Sequence, residues 1–506
     1  MAKLNHHNLR EFLEILEENQ YVSRVGVEVD NQYEVGTIMW QLHEKYGAEA
    51  PAVVFEKVRG YNVPLVKNVL GNYKRMALAC HMDNWREAKK KDVVKHLLNT
   101  FEKTDAWKKP VEINPRDAPC KEVVKTGEEA SLDFLPILKW HPHDGGPFIL
   151  MGNVITRDPE WGHNVGVYRI HKKGSRTCNI VASALQDIGI YISRARRKGI
   201  HEIDIAIAIG GPQSLYIAAG IKNPQIGRDN EYMIAGALSG EPLNVVRGET
   251  VDLLVPAEAE IVIEGKLSTN TEELQDEGPF SEWMGYAGAV TKQPTIRVTA
   301  ITHRRNPLFQ SCISAHRYSE TTMLYSIPFI RWYKQMREII PGFVDLNMPE
   351  ELRMYYAVIS ITKRYPGWGK NAIYAALGSG YGMANLVGVI VVDDDVDVYD
   401  INQVLTAVST RVDPELDVVI LPPGTTHALN TNARAVLPVR EPGLSFAMCS
   451  RIGIDATRKL QDEYGRSRAT PLYVERTPDK NTLEKVMRRW REYRLEPRME
   501  VITQQA

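Results

Sequence analysis

The sequence predicts a multidomain α/β protein in which a strand-rich middle lies between two regions of alternating helices and strands. The first observation is the length of 506 residues, which exceeds one compact core and indicates two or three domains. The second is a change near residue 120 from helical periodicity to short strand-like runs, and the third is its reversal after about residue 320. We therefore predict domains at residues 1–119, 120–315 and 316–506.

The N-terminal region shows apolar residues at helical spacing. In "NLREFLEILEEN", Leu9, Phe12, Leu13 and Leu16 share one helical face. "TIMWQLHEKYG" predicts a second helix that ends at Gly47. The run "PAVVFEKVRGYNVPLVKNVLG" predicts two strands around a glycine turn.

The middle region contains many short β-rich runs separated by turn residues, among them "FILMGNVITRD", "IDIAIAIGG" and "TIRVTAITHRR". This spacing is typical of a barrel or a sandwich. Two helices interrupt the pattern: "QDIGIYISRARRKG", ended by Gly199, and "NEYMIAGALSG", ended by Gly240.

The C-terminal region returns to an α/β pattern. A helical stretch covers "SETTMLYSIPFIRWYKQM", and then a helix, the buried strand "LVGVIVVDDDVDV" and the helix "INQVLTAVSTR" alternate. "NTLEKVMRRWREYRL" predicts a terminal helix with Leu483, Val486, Met487, Trp490 and Tyr493 on one stripe. Docking on its own chain and contact with another subunit both explain this stripe.

The composition limits the classes of partner and the compartment. A net charge of −1 provides no general field for nucleic acid or anionic membranes, so we expect neither as a partner. Five scattered cysteines without a CxxC motif favour a reducing compartment over a disulfide framework or a structural zinc site. The start lacks a signal-type apolar core and no run approaches 18 apolar residues, so we expect a cytoplasmic protein.

Three short motifs suggest ligand sites but are better explained as local structure. "GSGYG" (378–382) follows a helix and precedes a strand, the reverse of a dinucleotide fingerprint, so we predict a turn. "DDDVDVYD" lacks the glycine and glutamate of an EF-hand, and Asp400 is predicted to cap the next helix. "HPHDGG" (141–146) could bind a metal, but we predict a plain surface turn.

Four segments of the middle region carry candidate functional residues: "NVGVYR" (164–169), "VASALQD" (181–187), "NEYMIAGAL" (230–238) and "EGPFSEWMGY" (277–286). Each also has a local structural explanation. Asp187 is expected to cap a helix, Glu231 to lie in a first helical turn, and Arg169 to be a solvated strand residue.

Together and in this order, the four segments resemble the UbiD-like family of prenylated-flavin-dependent (de)carboxylases, which act on aromatic or unsaturated acids. The resemblance extends over nearly the whole chain, including "HDGGPF", "GETVDLLVPAEAEIVIEG" and "VVDDDVDVYDINQVLTAVSTR". It implies an N-terminal α/β domain, a central split β-barrel flavin-binding domain, and a C-terminal α/β domain that helps assemble homodimers or homohexamers.

The resemblance also implies the roles of individual residues. Arg169, Glu277 and Glu282 match the catalytic network, and Gln186, Trp283 and Tyr325 match the substrate pocket. Asn164, Asp187 and Glu231 match the ligands of a divalent ion, usually Mn²⁺, which bridges to the phosphate of prenylated FMN; K⁺ often lies beside it. Segments that match the flavin-lining positions contain Val167, Tyr168, Arg169, Val181, Ala182, Ser183, Gln186 and Asp187. Several relatives have histidine where Asp187 falls, which leaves this ligand open.

The residue chemistry agrees with the implied roles. Hard oxygen ligands suit a divalent cation, which would offset repulsion between acidic residues and a flavin phosphate. Decarboxylation needs an electron sink that no side chain provides, and in this family it proceeds through a covalent adduct with the flavin. We expect Glu282 to donate the final proton, with its pKa raised by Phe280 and Trp283, while Arg169 keeps Glu277 ionised. Gly278 and Pro279 supply the irregular backbone that lets both acids converge.

The predicted function is therefore a carboxy-lyase, run in either direction, that acts on a small aromatic or heteroaromatic acid with its cofactor supplied by a flavin prenyltransferase. His316, Arg317 and Glu320 are candidates for reading a ring substituent, and Lys363 matches a lysine of members acting on hydroxylated acids; each is also explained as a solvated loop residue. Alternatives are a subunit of an aromatic carboxylase complex, a decarboxylase of an aryl-CoA thioester, and a flavin oxidoreductase with an unmodified flavin.

Overall fold

The N-terminal region forms a small sheet with helices around it. Residues 6–183, 186–221, 230–325, 327, 329–426, 429–435, 447–460 and 480–493 are described by the computed structural model. The first elements are α1 (Leu9–Glu18), β1 (Val22–Val29), α2 (Glu34–Tyr46), β2 (Ala52–Val58), β3 (Leu65–Lys67), α3 (Tyr73–Ala79), α4 (Lys90–Glu102) and β4 (Val111–Glu112). β1 and β2 pair in parallel, and β2 pairs with β3 in antiparallel fashion.

The predicted helical face of α1 is confirmed. Leu9, Phe12, Leu13 and Leu16 are buried, and the side chain of the N-cap residue Asn8 accepts two backbone N–H groups of the first turn. α2 ends at Gly47, as predicted, in a conformation with φ of 58° that favours glycine. Capping and periodicity are local properties, so they could be read from the sequence.

The middle region contains the strands and helices β5 (Val123–Thr126), β6 (Phe148–Ile149), β7 (Asn153–Asp158), β8 (Gly162–Val167), β9 (Ile170–Lys172), β10 (Thr177–Ile180), α5 (Asp187–Arg197), β11 (Glu202–Ile209), α6 (Gln213–Gly220), α7 (Asn230–Ser239), β12 (Asn244–Arg247), β13 (Leu254–Pro256), β14 (Ile261–Ser268), β15 (Gln275–Glu277), β16 (Phe280–Ser281), β17 (Ala287–Gly288), β18 (Thr291–Gln293) and β19 (Thr295–His303). Both predicted interrupting helices are present, and each is followed by the expected glycine with positive φ.

One nine-stranded sheet organises the middle region. Its strands run in the order β6-β9-β10-β19-β14-β11-β7-β8, with β5 added alongside β19. The sheet curls into a half-barrel, which agrees with the barrel-like expectation; the complete split barrel stays a prediction. β14 and β19 pair with a register shift between Glu264 and Gly265, where a Cβ at Gly265 would lie 2.6 Å from the Arg297 carbonyl oxygen. Two short hairpins, β15–β18 and β16–β17, project the 277–286 segment from this scaffold.

The last elements of the 1–457 unit are β20 (Phe309–Ser311), α8 (Glu320–Tyr325), α9 (Ile330–Ile339), β21 (Phe343–Asn347), β22 (Tyr356–Ile361), α10 (Trp368–Gly378), α11 (Gly380–Asn385), β23 (Gly388–Asp393), α12 (Ile401–Arg411), α13 (Pro414–Asp417), β24 (Val418–Thr426), β25 (Arg434–Ala435) and β26 (Ala447–Asp455). β20 joins the N-terminal sheet beside β3. The others build a sheet in the order β21-β22-β23-β26-β24, with β25 on β26.

Two local predictions in this region need correction, and one is confirmed. The single helical stretch expected over 319–336 is two helices, α8 and α9. The turn expected at "GSGYG" starts another short helix, α11, because the Ser379 side chain caps the Gly382 N–H. Asp400 caps α12 as predicted, accepting the N–H groups of Asn402 and Gln403.

Residues 458–506 form a separate unit, within which α14 (Lys480–Arg488) covers the first part of the predicted terminal helix. Met487, Trp490 and Tyr493 of the predicted apolar stripe are exposed, and the side chain of Leu483 lies outside the described residues. Over the described ranges, no helix has the length and apolar character required to cross a membrane.

Candidate active site

Arg169 lies between two buried carboxylates, Glu277 and Glu282, that follow it by more than 100 residues in the chain. Its Nε and Nη2 donate to Oε1 and Oε2 of Glu277 at 2.9 and 2.6 Å, a bidentate pair. Its third nitrogen, Nη1, contacts Oε1 of Glu282. Glu277 is fully buried and Glu282 is 6% exposed. The solvated-strand interpretation of Arg169 is therefore wrong, and the predicted convergence of the three residues is confirmed as geometry.

The backbone between the two acids is irregular, as the Gly-Pro sequence predicts. Gly278 has φ of 89°, and the Gly278–Pro279 peptide bond is cis. A Cβ at Gly278 would lie 3.0 Å from the Ala289 carbonyl oxygen, so both the dihedral angle and the space favour glycine. In an uninterrupted strand, residues five apart would point to opposite faces. The break allows Glu277 and Glu282 to reach the same guanidinium.

Aromatic rings enclose one side of this ion pair network. The Arg169 guanidinium lies 4.9 Å from the centroid of the Phe280 ring, which packs on Phe148. His171 stacks on the other side of Phe148 and accepts the Gly278 N–H through Nδ1 at 3.4 Å. Burial lowers the pKa of His171 to about 4, with further lowering from Lys173 and Arg169. The histidine is therefore a neutral acceptor near neutral pH.

The 141–146 segment also reaches the site, and its assignment as a plain surface turn is wrong for Asp144. Asp144 is 2% exposed, and its Oδ1 accepts the backbone N–H and the hydroxyl of Ser281 at 2.9 and 3.0 Å. The Gly145 N–H donates to the Pro279 carbonyl at 2.8 Å. The adjacent glycines of "HDGG" were the available signal, because they permit close approach of two backbones.

A second group of polar residues acts on the buried phenol of Tyr168. Asn164 is its hydrogen-bond partner, and burial raises the pKa of the Tyr168 phenol, with further raising from the negative charges of Asp187 and Glu231. The Nδ2 atom of Asn164 is buried and has no hydrogen-bond partner among the described residues. Asn164 hydrogen-bonds with Tyr168, and the charges of Asp187 and Glu231 act on the same phenol; their assignment as metal ligands stays a prediction.

The local environments of Asp187 and Glu231 test the alternative explanations, an N-cap for Asp187 and a first-turn carboxylate for Glu231. Asp187 is the first residue of α5 and Gln186 occupies the N-cap position, so the N-cap assignment of Asp187 is wrong. Glu231 lies in the first turn of α7, as expected, and its Oε2 accepts the Val165 N–H at 3.4 Å. Within the described ranges, no three His, Cys, Asp or Glu side chains gather as a metal site; the predicted set has two carboxylates and an amide.

The predicted flavin-lining residues 181–183 directly follow β10 and run beside the backbone of Arg169. Val181 N–H approaches the Arg169 carbonyl at 3.4 Å, and Ala182 N–H donates to Oε1 of Gln293 at 2.9 Å. Ser183 N–H donates to Oε1 of Gln186 at 3.2 Å. Gln293, on β18, was missed in the sequence because nothing in its local pattern distinguishes it from a strand residue.

The predicted substrate-pocket residues are only partly described. Trp283 is 7% exposed, its ring packs on Tyr355 with centroids 5.7 Å apart, and its carbonyl accepts Nη1 of Arg353 at 3.1 Å. Gln186 is half-buried at the start of α5. The side chain of Tyr325 lies outside the described residues. The pocket therefore stays a prediction.

The candidates for substituent recognition have different environments. His316 is buried against His43 and its Nε2 lies 3.1 Å from Oε1 of Glu44. Glu320 is buried and accepts the Leu70 N–H at 2.6 Å; burial raises its pKa to about 7. The solvated-loop alternative is wrong for these two, whereas Arg317 is exposed. Lys363 donates to the Thr457 hydroxyl at 3.0 Å.

Family models of one group of enzymes match three successive parts of the chain. The 3-octaprenyl-4-hydroxybenzoate carboxy-lyase N-terminal domain matches residues 13–91, the Rift-related domain matches residues 111–317, and the C-terminal domain matches residues 321–456.

Relatives and solved structures match over nearly the full length. A phenolic acid decarboxylase of Sedimentibacter hydroxybenzoicus is 32% identical over 478 residues, covering 92% of this chain and 94% of that protein. The closed form of the vanillic acid decarboxylase of the same organism has a TM-score of 0.83 at 31% identity, covering 96% and 99% of the two chains. The UbiD-class enzyme HmfF of Pelotomaculum thermopropionicum, in complex with prFMN, has a TM-score of 0.76 at 30% identity, covering 94% and 100%. The chain therefore belongs to the UbiD family of carboxy-lyases.

Proposed function

We propose that the protein is a prenylated-FMN-dependent, non-oxidative decarboxylase of an aromatic or heteroaromatic carboxylic acid, able to run in reverse as a carboxylase. The observation that carries this proposal is the buried network in which one guanidinium, that of Arg169, contacts both Glu277 and Glu282. Vanillic acid decarboxylase and HmfF in complex with prFMN, both at about 30% identity, support the reaction class and the cofactor.

The residues around Tyr168 suit the phosphate end of such a cofactor. Asn164, Asp187 and Glu231 offer an amide and two carboxylates, the hard oxygen donors that Mn²⁺ or another divalent ion prefers. The Nδ2 atom of Asn164 is a buried donor without a partner among the described residues, as expected where a polar ligand binds beside this amide. These three residues would hold the ion, and a K⁺ beside it is part of the proposal. Residues 181–183 and Gln186 would line the flavin.

Each residue of the network has a distinct task in the proposed reaction. When bound, prenylated FMN supplies the electron sink that side chains lack. Glu277, held by two hydrogen bonds, orients Arg169, which directs the second carboxylate. As the C–C bond breaks, carbon dioxide leaves and its bonding electron pair stays with the substrate. Glu282 then delivers a proton to that carbon and regains one from water, so no net oxidation occurs.

The surroundings of Glu282 support its assignment as the proton donor. It is nearly buried in a segment where Phe280 and Trp283 are buried too, so little of its carboxyl group is in contact with bulk water. Trp283 offers a flat apolar surface for an aromatic ring, and Gln186 and Tyr325 complete the proposed pocket. Glu277, in contrast, has no exposed surface and both oxygens occupied.

The proposal extends to architecture and supply. We propose three domains: an N-terminal domain at 1–119, a split-barrel domain at 120–315 and a C-terminal oligomerisation domain at 316–506. The split-barrel domain would bind the flavin. A homodimer or homohexamer is the proposed assembly, and light scattering of the purified protein distinguishes the two from a monomer. A flavin prenyltransferase is the proposed supplier of the cofactor.

The test is to purify the protein after co-production with a flavin prenyltransferase and to identify the extracted cofactor by mass spectrometry. The loaded protein is then offered a panel of benzoic, hydroxybenzoic and furoic acids, with carbon dioxide release and ring hydrogen exchange as readouts. We expect a prenylated FMN mass and turnover of at least one acid. An unmodified flavin that is reduced by a nicotinamide cofactor would overturn the proposal.

A matched variant tests the metal assignment separately. Glu231→Ala should lose the divalent ion and the flavin together, measured by elemental analysis and absorbance. Glu241→Ala, on an exposed side chain just beyond the same helix, serves as the control and should retain both. Full retention of metal and flavin by Glu231→Ala would contradict the bridging role.

A further inference from the structure

The segment from Lys139 to Pro147, which we call the clamp loop, is closed at its base. The Phe148 N–H donates to the Leu138 carbonyl at 2.9 Å, so the residues before and after the loop are paired with each other. Trp140, at the start of the loop, is 2% exposed and lies under the ammonium group of Lys67, 3.6 Å from its ring centroid. A loop with a closed base and a buried first ring has little freedom to shift relative to the sheet.

Asp144 is the central acceptor of the clamp loop. Its Oδ2 accepts the His141 N–H at 2.9 Å, which fixes the carboxylate within the loop. Its Oδ1 accepts both the N–H and the hydroxyl of Ser281, as described above. Hydrogen bonds to a buried ionised carboxylate are stronger than neutral ones, so this contact holds the backbone of residue 281 firmly.

His143 adds a second contact to the same hydroxyl. Its Nε2 lies 2.9 Å from the Ser281 Oγ. When the Ser281 hydroxyl donates to Asp144, its oxygen is left to accept a hydrogen bond from Nε2–H of His143. The result is a chain of donors from His143 through Ser281 to Asp144.

The two glycines of the loop allow its backbone to touch the acid-bearing segment. A Cβ at Gly145 would lie 2.0 Å from the Gly278 carbonyl oxygen, and a Cβ at Gly146 would lie 2.6 Å from Nε2 of His171. Both distances are shorter than any real Cβ contact. The loop therefore meets the Gly278–Ser281 stretch at one end through Gly145 and at the other through Asp144, while Gly146 leaves room for the His171 ring.

Glu282 follows Ser281 directly and has its own backbone held on the other side. Its N–H donates to the Tyr286 carbonyl at 2.8 Å, and its carbonyl accepts the Gly285 N–H at 2.9 Å. With residue 281 held by Asp144, the Cα atom of Glu282 is held from both directions. The position of this Cα atom therefore determines where the Glu282 carboxylate meets Arg169.

We propose that Asp144 and His143 are positioning residues that set the carboxyl group of Glu282 relative to Arg169 by holding Ser281. This inference rests on the proposed function of Glu282 as proton donor. Asp144 touches neither the reacting atoms nor the cofactor in this assignment. Its effect is on where the proton donor stands, and a misplaced general acid slows the step in which the proton is delivered.

The test uses the cofactor-loaded protein and a graded series at one position. Asp144→Ala removes both acceptor oxygens, and Asp144→Asn keeps one neutral acceptor oxygen for Ser281. We expect kcat per loaded site to fall about 10- to 100-fold in Asp144→Ala and less in Asp144→Asn, with KM changed less than about threefold. The pH profile of kcat should shift in both variants, because the distance from Glu282 to Arg169 changes.

Controls separate positioning from general destabilisation. Asp133→Asn makes the same substitution on an exposed side chain of the preceding turn and should leave kcat unchanged. Ser281→Ala removes only the shared hydroxyl and serves if Asp144→Ala fails to fold. Hydrogen exchange of the 278–288 peptide should accelerate in Asp144→Ala and Asp144→Asn, and not in Asp133→Asn.

The outcomes distinguish this inference from the proposed function. If the wild type releases no carbon dioxide from any acid while exchange in Asp144→Asn accelerates, the clamp contact stands but the proton-donor role fails and the positioning role with it. If the wild type is active and Asp144→Ala or Ser281→Ala has wild-type kcat and pH profile, the positioning role is overturned and the proposed function is untouched.

Discussion

Two regions of the molecule contain one arginine between two buried carboxylates. In the middle region, Arg169 contacts Glu277 and Glu282. In the C-terminal region, Nη1 of Arg411 lies 3.0 Å from Asp393 and 3.2 Å from Asp395, and Nη2 lies 3.1 Å from the latter. Side-chain exposure is similarly low in both, at 11% for Arg169 and 8% for Arg411.

The difference lies in how the groups are brought together. Arg411 is in the last turn of α12, where the helix dipole favours a cation. Its partners lie only 16 to 18 residues earlier, Asp393 at the end of β23 and Asp395 just after it. Arg169 lies between β8 and β9, and Glu277, 108 residues later, ends β15 and is followed by the irregular Gly278–Pro279 backbone. A short-range ion pair within one α/β unit stabilises the fold, whereas a long-range pair on a clamped hairpin suits chemistry. Both sites consist of one arginine and two carboxylates, so residue types alone do not distinguish a stabilising role from a chemical one.

The largest expected effect concerns the middle region. Glu282→Gln should lower turnover ~10²- to 10⁴-fold, because it removes the proposed general acid. The melting temperature and cofactor content should stay near those of the wild type, since the amide fits the same space. Carbon dioxide release by the loaded protein measures the effect.

Asp276→Asn is the matched control for Glu282→Gln. Asp276 lies on the same hairpin, paired with Lys292, but its side chain is 63% exposed. It should turn over at the wild-type rate. Normal turnover by Glu282→Gln would remove Glu282 as proton donor and, with it, the functional half of the comparison.

The next effect concerns the C-terminal region. Arg411→Met should lower the free energy of unfolding by ~3–5 kcal/mol, because two carboxylates with low exposure lose their cationic partner. The kcat per folded, loaded molecule should not change. Urea unfolding and active-site titration provide the two readouts.

Arg297→Met is the control, since Arg297 pairs with Glu202 at an exposed site. It should lower the free energy of unfolding by less than about 1 kcal/mol. A loss of turnover without loss of stability in Arg411→Met would show that the two arginine networks do not divide their roles as the comparison states.

A smaller effect comes from buried groups that have no carboxylate at hydrogen-bonding distance. Burial lowers the pKa of His43 to about 4, with further lowering from His316. The unfolded chain binds a proton below pH 6.5, whereas the folded state does so only near pH 4, so stability falls as the pH falls through this window. Between pH 6.5 and 5.5, this one histidine should account for about 1 kcal/mol.

The measurement is the free energy of unfolding at pH 6.5 and 5.5 for the wild type and for His43→Gln. The variant should show a pH dependence smaller by that amount, and Arg411→Met should show the wild-type pH dependence on a lower baseline. Equal pH dependence in wild type and His43→Gln would show that folding does not lower the pKa of this histidine.

The smallest expected effect concerns an exposed ion pair on the hairpin that carries Glu277. Lys292→Ala breaks an ion pair between β15 and β18, immediately beside Glu277, with Nζ and Oδ1 of Asp276 2.9 Å apart. Because both side chains are more than 60% exposed, the free energy of unfolding should change by less than about 1 kcal/mol. Turnover should stay within twofold of the wild type. A larger loss would mean that the surface of the hairpin, and not the clamp beneath it, controls Glu282.

Local patterns predicted several of the helices and some of their ends. The apolar face of α1, the glycines after α2, α5 and α7, and the Asp400 cap were readable because each depends on residues within one or two turns. The same reasoning failed at 319–336, where periodicity continued through a break between α8 and α9. It also failed at Asp144, whose partner Ser281 is 137 residues away.

The sequence by itself determined which residue types were present for the chemistry and, through the Gly278–Pro279 break, that two acids five residues apart could face one another. The sequence also indicated the family, because the motifs and their order along the chain can be recognised without knowing which residues are in contact. Only the tertiary structure decided that Arg169 contacts both acids and that the clamp loop holds Ser281. The physical reason is that these are contacts between segments more than 100 residues apart, where register, burial and backbone approach act together and leave no periodic trace in either segment.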